Sequence, residues 1–182
     1  MTCAACGLQN PEGFRFCGAC GSRLSAPSVK PHEVRKTVTV VFVDLVGSTE
    51  LGERLDPEPL RELVLRYYQH AASVLTRHGG TVAKFIGDAV MALFGIPVIH
   101  EDDALRAVRA AAELNAALAE LNAELWAAYG VRLGVRTGVN TGEVVAGNAV
   151  WGQDVAVGDA VNVAARLEQA AQAGEVLLGE DT

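Results

Sequence analysis

Several polar residues stand where an apolar stretch would not need them. Asp44 lies near the end of "VTVVFVDLVGSTE", Val38 to Glu50, a run that otherwise expects burial. A carboxylate there must meet a cation or hydrogen-bond donors, because an unpaired buried charge is costly. Gly47, Ser48 and Thr49 then break the run and can open a helix. A helix start just after a strand is a phosphate site. A carboxylate beside phosphate points to a divalent metal between them. Asp88 falls in a Gly-Asp pair that, taken alone, is an ordinary hairpin turn. If that hairpin pairs beside the Asp44 strand, two carboxylates share one end of a sheet. Such a pair suits Mg2+ or Mn2+ and phosphoryl transfer.

Lys84 precedes Asp88 by four residues, inside an otherwise apolar strand, and is the only lysine after residue 36. Strand alternation aligns it with Val82 and Ile86. Snorkelling at the surface is its bland reading. A positive donor on a strand face could instead read an acceptor such as adenine N1, whereas guanine N1–H would want a carboxylate. Asn162 and Arg166 are four apart in "GDAVNVAARLEQA", so they stack on one helix face, with Val161, Ala164, Ala165 and Leu167 on the others. A solvated polar stripe would have that pattern. So would an amide that positions a sugar and a guanidinium that stabilises a phosphoryl transition state.

All four cysteines lie in the first 20 residues, as "CAAC" (Cys3, Cys6) and "CGAC" (Cys17, Cys20), each pair followed by glycine. Two close thiolate pairs suit one tetrahedral zinc ion. The glycines let backbone N–H groups approach the sulfurs. A closed four-sulfur site leaves no open coordination position, so the expected role is structural. Two disulfides would require an oxidising compartment, which nothing in the sequence indicates.

These residues need elements to hold them. The chain has 182 residues, half of them apolar and a fifth charged, with a net charge of -7. That accommodates one full domain and one small module, and argues against a general nucleic-acid binder. The ribbon's only bases, Arg15 and Arg23, are too few for a nucleic-acid surface. No signal pattern and no apolar run of spanning length occurs, so a cytoplasmic location and no membrane contact are expected. The expected division is a zinc ribbon over 1–24, a Pro- and Ser-bearing linker over 25–36 and a large domain over 37–182. Periodicity predicts a strand at Val38–Leu45, a helix at Glu58–His78 and a hairpin at Thr81–Gly95. A long helix follows at Glu101–Tyr129, then a second hairpin over Val131–Val150 turning near Asn140–Gly142. A helix at Gly158–Gln172 and a short strand at Glu175–Leu178 complete the order. The fold class is α+β, with helices packed on a mixed sheet.

Taken together, "FVDLVGST", "GGTVAKFIGDAVMALFG" and "GDAVNVAARLEQA" resemble the three motif blocks of the class III adenylyl/guanylyl cyclase catalytic domain, in order, over about Val38 to Leu178. The resemblance implies a ferredoxin-like palm. It implies that Asp44 and Asp88 bind two Mg2+ or Mn2+ ions, with Gly47, Ser48 and Thr49 at the triphosphate. It implies that Lys84 reads the purine, of adenine type, that Asn162 orients the ribose and that Arg166 stabilises the pentacovalent phosphorus. It also implies a homodimer with composite sites, the aspartates from one chain and the other three residues from its partner. The implied reaction is ATP to 3′,5′-cyclic AMP and pyrophosphate in intracellular signalling. GTP is an alternative substrate, and a weak or inactive nucleotide-sensing module is an alternative role. Two departures stand out. Val155 occupies the position where a polar partner of the purine-reading lysine is expected, with Asp154 beside it. The chain also stops at Thr182, before the family's further sheet and phosphate-binding lysine, as a fragment of a longer protein would.

Overall fold

A computed structural model of the chain describes residues 1–24, 34–150 and 153–182; the side chains of residues 34, 49, 50, 146–150 and 153–156 fall outside that description. The chain divides into two compact units, Met1–His32 and Glu33–Thr182.

The second unit runs β1 (Val34–Val46), α1 (Ser48–Arg54), α2 (Pro57–Arg77), β2 (Thr81–Ile86), β3 (Ala89–Phe94), α3 (Asp103–Tyr129), β4 (Gly134–Val150), β5 (Gln153–Val157), α4 (Asp159–Ala170) and β6 (Val176–Leu178). The sheet order is β2-β3-β1-β4-β5, with β6 pairing β4. Its β2-β3-β1-β4 part is antiparallel throughout, and β6 lies parallel to β4. This is the α+β, ferredoxin-like palm. No helix among the described residues is long and apolar enough to cross a membrane.

Central β1 is covered on both faces, which explains its nearly unbroken run of valines. Val41, Val43 and Leu45 join Leu63, Tyr67, Val74 and Leu75 of α2 and Leu114, Leu121 and Leu125 of α3 in one core. Val38, Val40 and Phe42 point the other way and meet Met91, Leu93, Ala160 and Ala164. By the same alternation Asp44 lies on the α4 face of the sheet.

Three expectations need correction. β1 takes in Val34–Lys36, which the sequence suggested as linker; the rest of that segment, up to residue 33, lies outside the described residues. The second hairpin does not turn at Asn140–Gly142. β4 runs straight through, with Asn140 opposite Val40 and Gly142 opposite Val38, and its hairpin partner is β5. The small residues that read as a turn serve helix packing instead. A Cβ at Gly142 would lie 2.9 Å from Ala160 Cβ. One at Gly138 would overlap the Ala164 carbonyl oxygen and the Glu168 nitrogen. Asn140, buried, donates its amide to the Ala160 carbonyl at 3.2 Å. Finally, strand alternation fails in β2. A bulge lies between Val82 and Lys84, so Ala83 turns in and Lys84, Phe85 and Ile86 are all exposed.

Gly138→Ala therefore has no room to relax, since backbone faces it on α4. Forced overpacking of this kind costs about 3 kcal/mol, which lowers Tm by about 6–12 °C in a domain of this size. Thermal unfolding followed by circular dichroism checks this, with Gly142→Ala expected to be milder.

Candidate active site and cysteine cluster

The register of the sheet brings the two aspartates together. Val43 pairs with Val90, so Asp44 near the end of β1 and Asp88 in the β2–β3 turn sit at one end of adjacent strands. Two consecutive tyrosines of α2 hold the backbone just before each of them. Tyr67 Oη donates to the Val43 carbonyl at 3.3 Å, and Tyr68 Oη donates to the Gly87 carbonyl. The Tyr68 ring also packs on Phe85, with centroids 4.5 Å apart. Burial first, then the charges of Asp44 and Asp88, push the Tyr67 phenol well above its ordinary range, so it stays a donor.

Asp44 already has a counter-charge. Arg136 stands directly across from it on β4. Its Nη2 and Nε donate to Asp44 Oδ2 at 2.6 and 3.1 Å. Among the described residues no hydrogen bond reaches Oδ1. On the far side of Arg136 lies Glu168, with Oε1 2.6 Å from Nε. Burial first and the Asp44 charge second raise the Glu168 carboxyl above the usual carboxylate range. Neither Arg136 nor Glu168 emerged from the sequence, yet both left a signal. Arg136 is the one charge in "GVRTGVN", Gly134 to Asn140, the first seven residues of β4, and Glu168 continues the buried stripe Ala160, Ala164, Glu168 of α4.

The other predicted residues face outward. Lys84 is exposed on β2. Asn162 and Arg166 share the exposed side of α4, where Arg166 Nε donates to the Asn162 carbonyl at 3.4 Å. Among the described residues no hydrogen bond or ion pair joins Lys84, Asn162 or Arg166 to Asp44 or Asp88. The backbone of β5 approaches β2, which brings the strands carrying Val155 and Lys84 near each other; the side chains of Val155 and Asp154 lie outside the described residues. Gly47 adopts a left-handed φ of 81° and precedes the short helix that starts at Ser48; the side chain of Thr49 is outside the description.

Two carboxylates with an unengaged oxygen fit Mg2+ or Mn2+, hard ions held by one or two carboxylates together with substrate phosphates. They do not make a metal cage by themselves. Among the described residues the only cluster of three or more ligand groups is Cys3, Cys6, Cys17 and Cys20.

The model of the adenylate and guanylate cyclase catalytic domain matches residues 30–182. The chain belongs to the class III nucleotide cyclase family. Among solved cyclase structures, the guanylyl cyclase Cya2 superposes with a TM-score of 0.76 at 36% identity, over 80% of this chain and 76% of that one. The adenylyl cyclase CyaB from P. aeruginosa also gives 0.76 and 36%, over 81% and 79%. Adenylate cyclase 1 of Rhizobium meliloti is 33% identical over 137 residues, 74% of this chain and 21% of that protein. An uncharacterised protein of Mycobacterium tuberculosis is 37% identical over 151 residues, 79% of this chain and 26% of its own length. The cyclase chain thus spans about a quarter of the length of these curated relatives.

In the first unit the four sulfurs lie within 4.8 Å of one another. Cys3–Cys20 and Cys6–Cys17 are each 3.6 Å apart, a separation that suits two ligands of one tetrahedral Zn2+ at about 2.3 Å per bond. The two CxxC loops repeat one pattern. Cys3 N donates to Leu8 O and Gly7 N to Cys3 O, as Cys17 N does to Ser22 O and Gly21 N to Cys17 O. Gly7 and Gly21 take left-handed φ values of 76° and 70°. That turn sends the N–H of the next residue, Leu8 or Ser22, back to the sulfur of Cys6 or Cys20. The N–H groups of Cys20 and then Ala19 pull Cys17 down to about 6. Leu8 N–H lowers Cys6 as well, but the adjacent sulfurs of Cys20 and Cys17 outweigh it and push Cys6 up to about 12. Four crowded thiols cannot all ionise without a cation among them.

Purified full-length protein is expected to carry one zinc per chain by elemental mass spectrometry, and Cys17→Ser to lose it. Zinc retained in full by Cys17→Ser would show that the ion sits elsewhere.

Proposed function

We propose that this cyclase domain converts ATP to 3′,5′-cyclic AMP and pyrophosphate, as a homodimer whose two sites each combine residues of both chains. One observation carries the reading: the chain presents its carboxylate pair, Asp44 and Asp88, at one end of adjacent strands, and Lys84, Asn162 and Arg166 on exposed surfaces that, among the described residues, make no hydrogen bond or ion pair with that pair. A second copy can supply what each half lacks. Solved relatives include the guanylyl cyclase domain of the RhoGC fusion protein from Blastocladiella emersonii, both as a non-canonical dimer and as a monomer, and a rhodopsin-guanylyl cyclase core of converted specificity in complex with ATPαS.

Bound at Asp44 and Asp88, Mg2+ or Mn2+ would acidify the ribose 3′-hydroxyl and neutralise the triphosphate. The chain's own residues do the rest. Lys84 donates to an acceptor on the base, which adenine N1 provides and guanine N1–H does not. Asn162 fixes the ribose so that the 3′-oxygen approaches the α-phosphorus in line with the leaving pyrophosphate. Arg166 meets the charge that develops on the phosphoryl oxygens as the new P–O bond forms and the bond to the β-phosphate oxygen breaks. Backbone N–H groups of Gly47, Ser48 and Thr49, at a helix start, face the polyphosphate. With valine at 155, the base is read by one hydrogen-bonding side chain, so discrimination against GTP is modest. Intracellular signalling through cyclic AMP is the corresponding role, and the zinc ribbon serves as a structural module.

Cyclic nucleotide formation by the full-length protein, with ATP and with GTP in Mg2+ or Mn2+, is the direct test. ATP is expected to be the better substrate, and Lys84→Glu to shift the ratio of kcat/KM toward GTP by about tenfold or more. Asp44→Ala and Arg166→Ala are each expected to be inactive. Mixing the two should restore about a quarter of wild-type activity, because half the dimers then hold one intact site. Failure of the mixture to regain activity would overturn the composite site. Tight nucleotide binding by the wild-type protein with no product would make the domain a sensing module.

A further inference from the structure

Glu168 is 6% exposed, and its Oε1 accepts no hydrogen bond. A buried carboxylate oxygen left in that state is expensive. Its natural donor is adjacent: Arg136 Nε lies 2.6 Å away. That N–H, however, is directed at Asp44 Oδ2, which also receives Nη2. One guanidinium is therefore ion-paired with both carboxylates, while its N–H bonds are directed at Asp44 alone. Both carboxylates are held in place by backbone. Asp44 is fixed opposite Arg136 in the β1–β4 ladder. Glu168 is fixed by the close seat of α4 on Gly138.

We propose that Glu168 is a positioning residue for the metal at Asp44, the acceptor onto which Arg136 turns when a divalent cation takes Asp44. The inference rests on the reading of Asp44 as a metal-binding carboxylate. A divalent cation on Asp44 repels the guanidinium that shares the same carboxylate, and at such separations the repulsion is large. Without a second acceptor Arg136 would stay on Asp44 and compete with the ion, or withdraw as an unpaired, partly buried cation. Glu168 removes that choice. It offers an oxygen already within reach, so the exchange requires a turn of the guanidinium and no movement of backbone. The unsatisfied oxygen of the metal-free state becomes a fully bonded one in the loaded state.

The test uses the full-length protein and Mn2+, titrated by calorimetry in the presence of a nucleoside triphosphate that lacks the 3′-hydroxyl. Cyclisation against Mn2+ concentration is measured separately at saturating nucleotide. Glu168→Gln is expected to weaken Mn2+ binding about tenfold or more, and to raise the half-activating Mn2+ concentration by the same factor. The value of kcat at saturating Mn2+ should stay close to wild type, and Glu168→Asp should recover most of the loss. Because the effect runs through Arg136, Glu168→Gln should cause no further loss in an Arg136→Gln background. Should that background not fold, Arg136→Lys keeps the charge without the fork and replaces it. A Glu168→Gln binding curve that overlays wild type overturns the proposal, as does an equal loss in the absence of Arg136. Wild-type protein that binds no Mn2+ in this assay removes the metal reading of Asp44 and this proposal with it, whereas wild-type binding that Glu168→Gln leaves unchanged removes the proposal alone.

Discussion

A slip of one residue between β1 and β4 would destroy the core and the site together. Their ladder runs from Val34 opposite Ala146 to Val46 opposite Gly134. Side chains alternate between faces, so a one-residue shift moves each of them to the wrong side. In the observed register Val41, Val43 and Leu45 enter the α2/α3 core, and Asp44 emerges on the other face against Arg136. Slipped, the valines would face α4 and the carboxylate would enter an apolar core without a partner, which is prohibitively costly. The hydrophobic pattern that folds the sheet is thus also what aims the carboxylate.

The same ladder sets the floor on which α4 rests. Arg136, Gly138, Asn140 and Gly142 follow one another along the α4 face of β4. Two of the four lack a side chain, and the helix settles against backbone there. Ala160, Ala164 and Glu168 form the matching buried stripe. With that stripe pressed to the sheet, Asn162 and Arg166 are obliged to face outward. Close packing of small residues on one side of a helix thereby decides which polar residues are presented on the other. A comparable logic governs the opposite face, where Tyr67 and Tyr68, neighbours on α2, donate to the carbonyls immediately before Asp44 and Asp88. Core helices fix the backbone, and the carboxylates are held by it.

Much of this was legible in the sequence, for identifiable reasons. The valine run predicts a buried strand, and Asp44 stands out within it. The Gly87–Asp88 turn follows from local chemistry, and its nearness to Asp44 from pairing that hairpin beside the strand. The misreadings share a cause: a local signal whose meaning is set by a distant partner. Asn140–Thr141–Gly142 has turn composition, but Gly142 answers to Ala160 and Asn140 to the Ala160 carbonyl. Alternation in β2 predicts the side of Lys84, but a bulge cancels it, and no residue type announces that bulge. Arg136 and Glu168 escaped notice because each looks unremarkable alone; 32 residues separate them in sequence and 2.6 Å separate their atoms. Tyr67 shares the helical spacing of buried Leu63, Ala71 and Val74, while its hydroxyl has meaning only through Val43.

The charge balance at Asp44 explains how such a site can exist before any ligand arrives. Read from the sequence, the carboxylate near the end of a buried strand had to meet a cation or hydrogen-bond donors. In the fold, Arg136 supplies both through two hydrogen bonds to one oxygen, and a half-exposed guanidinium of this kind needs no pre-bound cation to let the strand form. The consequence reaches to metal choice. Asp44 and Asp88 alone are too few to hold a free ion against water, and the guanidinium discourages one further. A cation escorted by a triphosphate brings its own additional oxygens and its own negative charge, which the same guanidinium tolerates. If Asp44 and Asp88 take the metal, as proposed above, this arrangement favours a metal–nucleotide complex over the bare metal and couples filling of the carboxylate pair to arrival of the nucleotide.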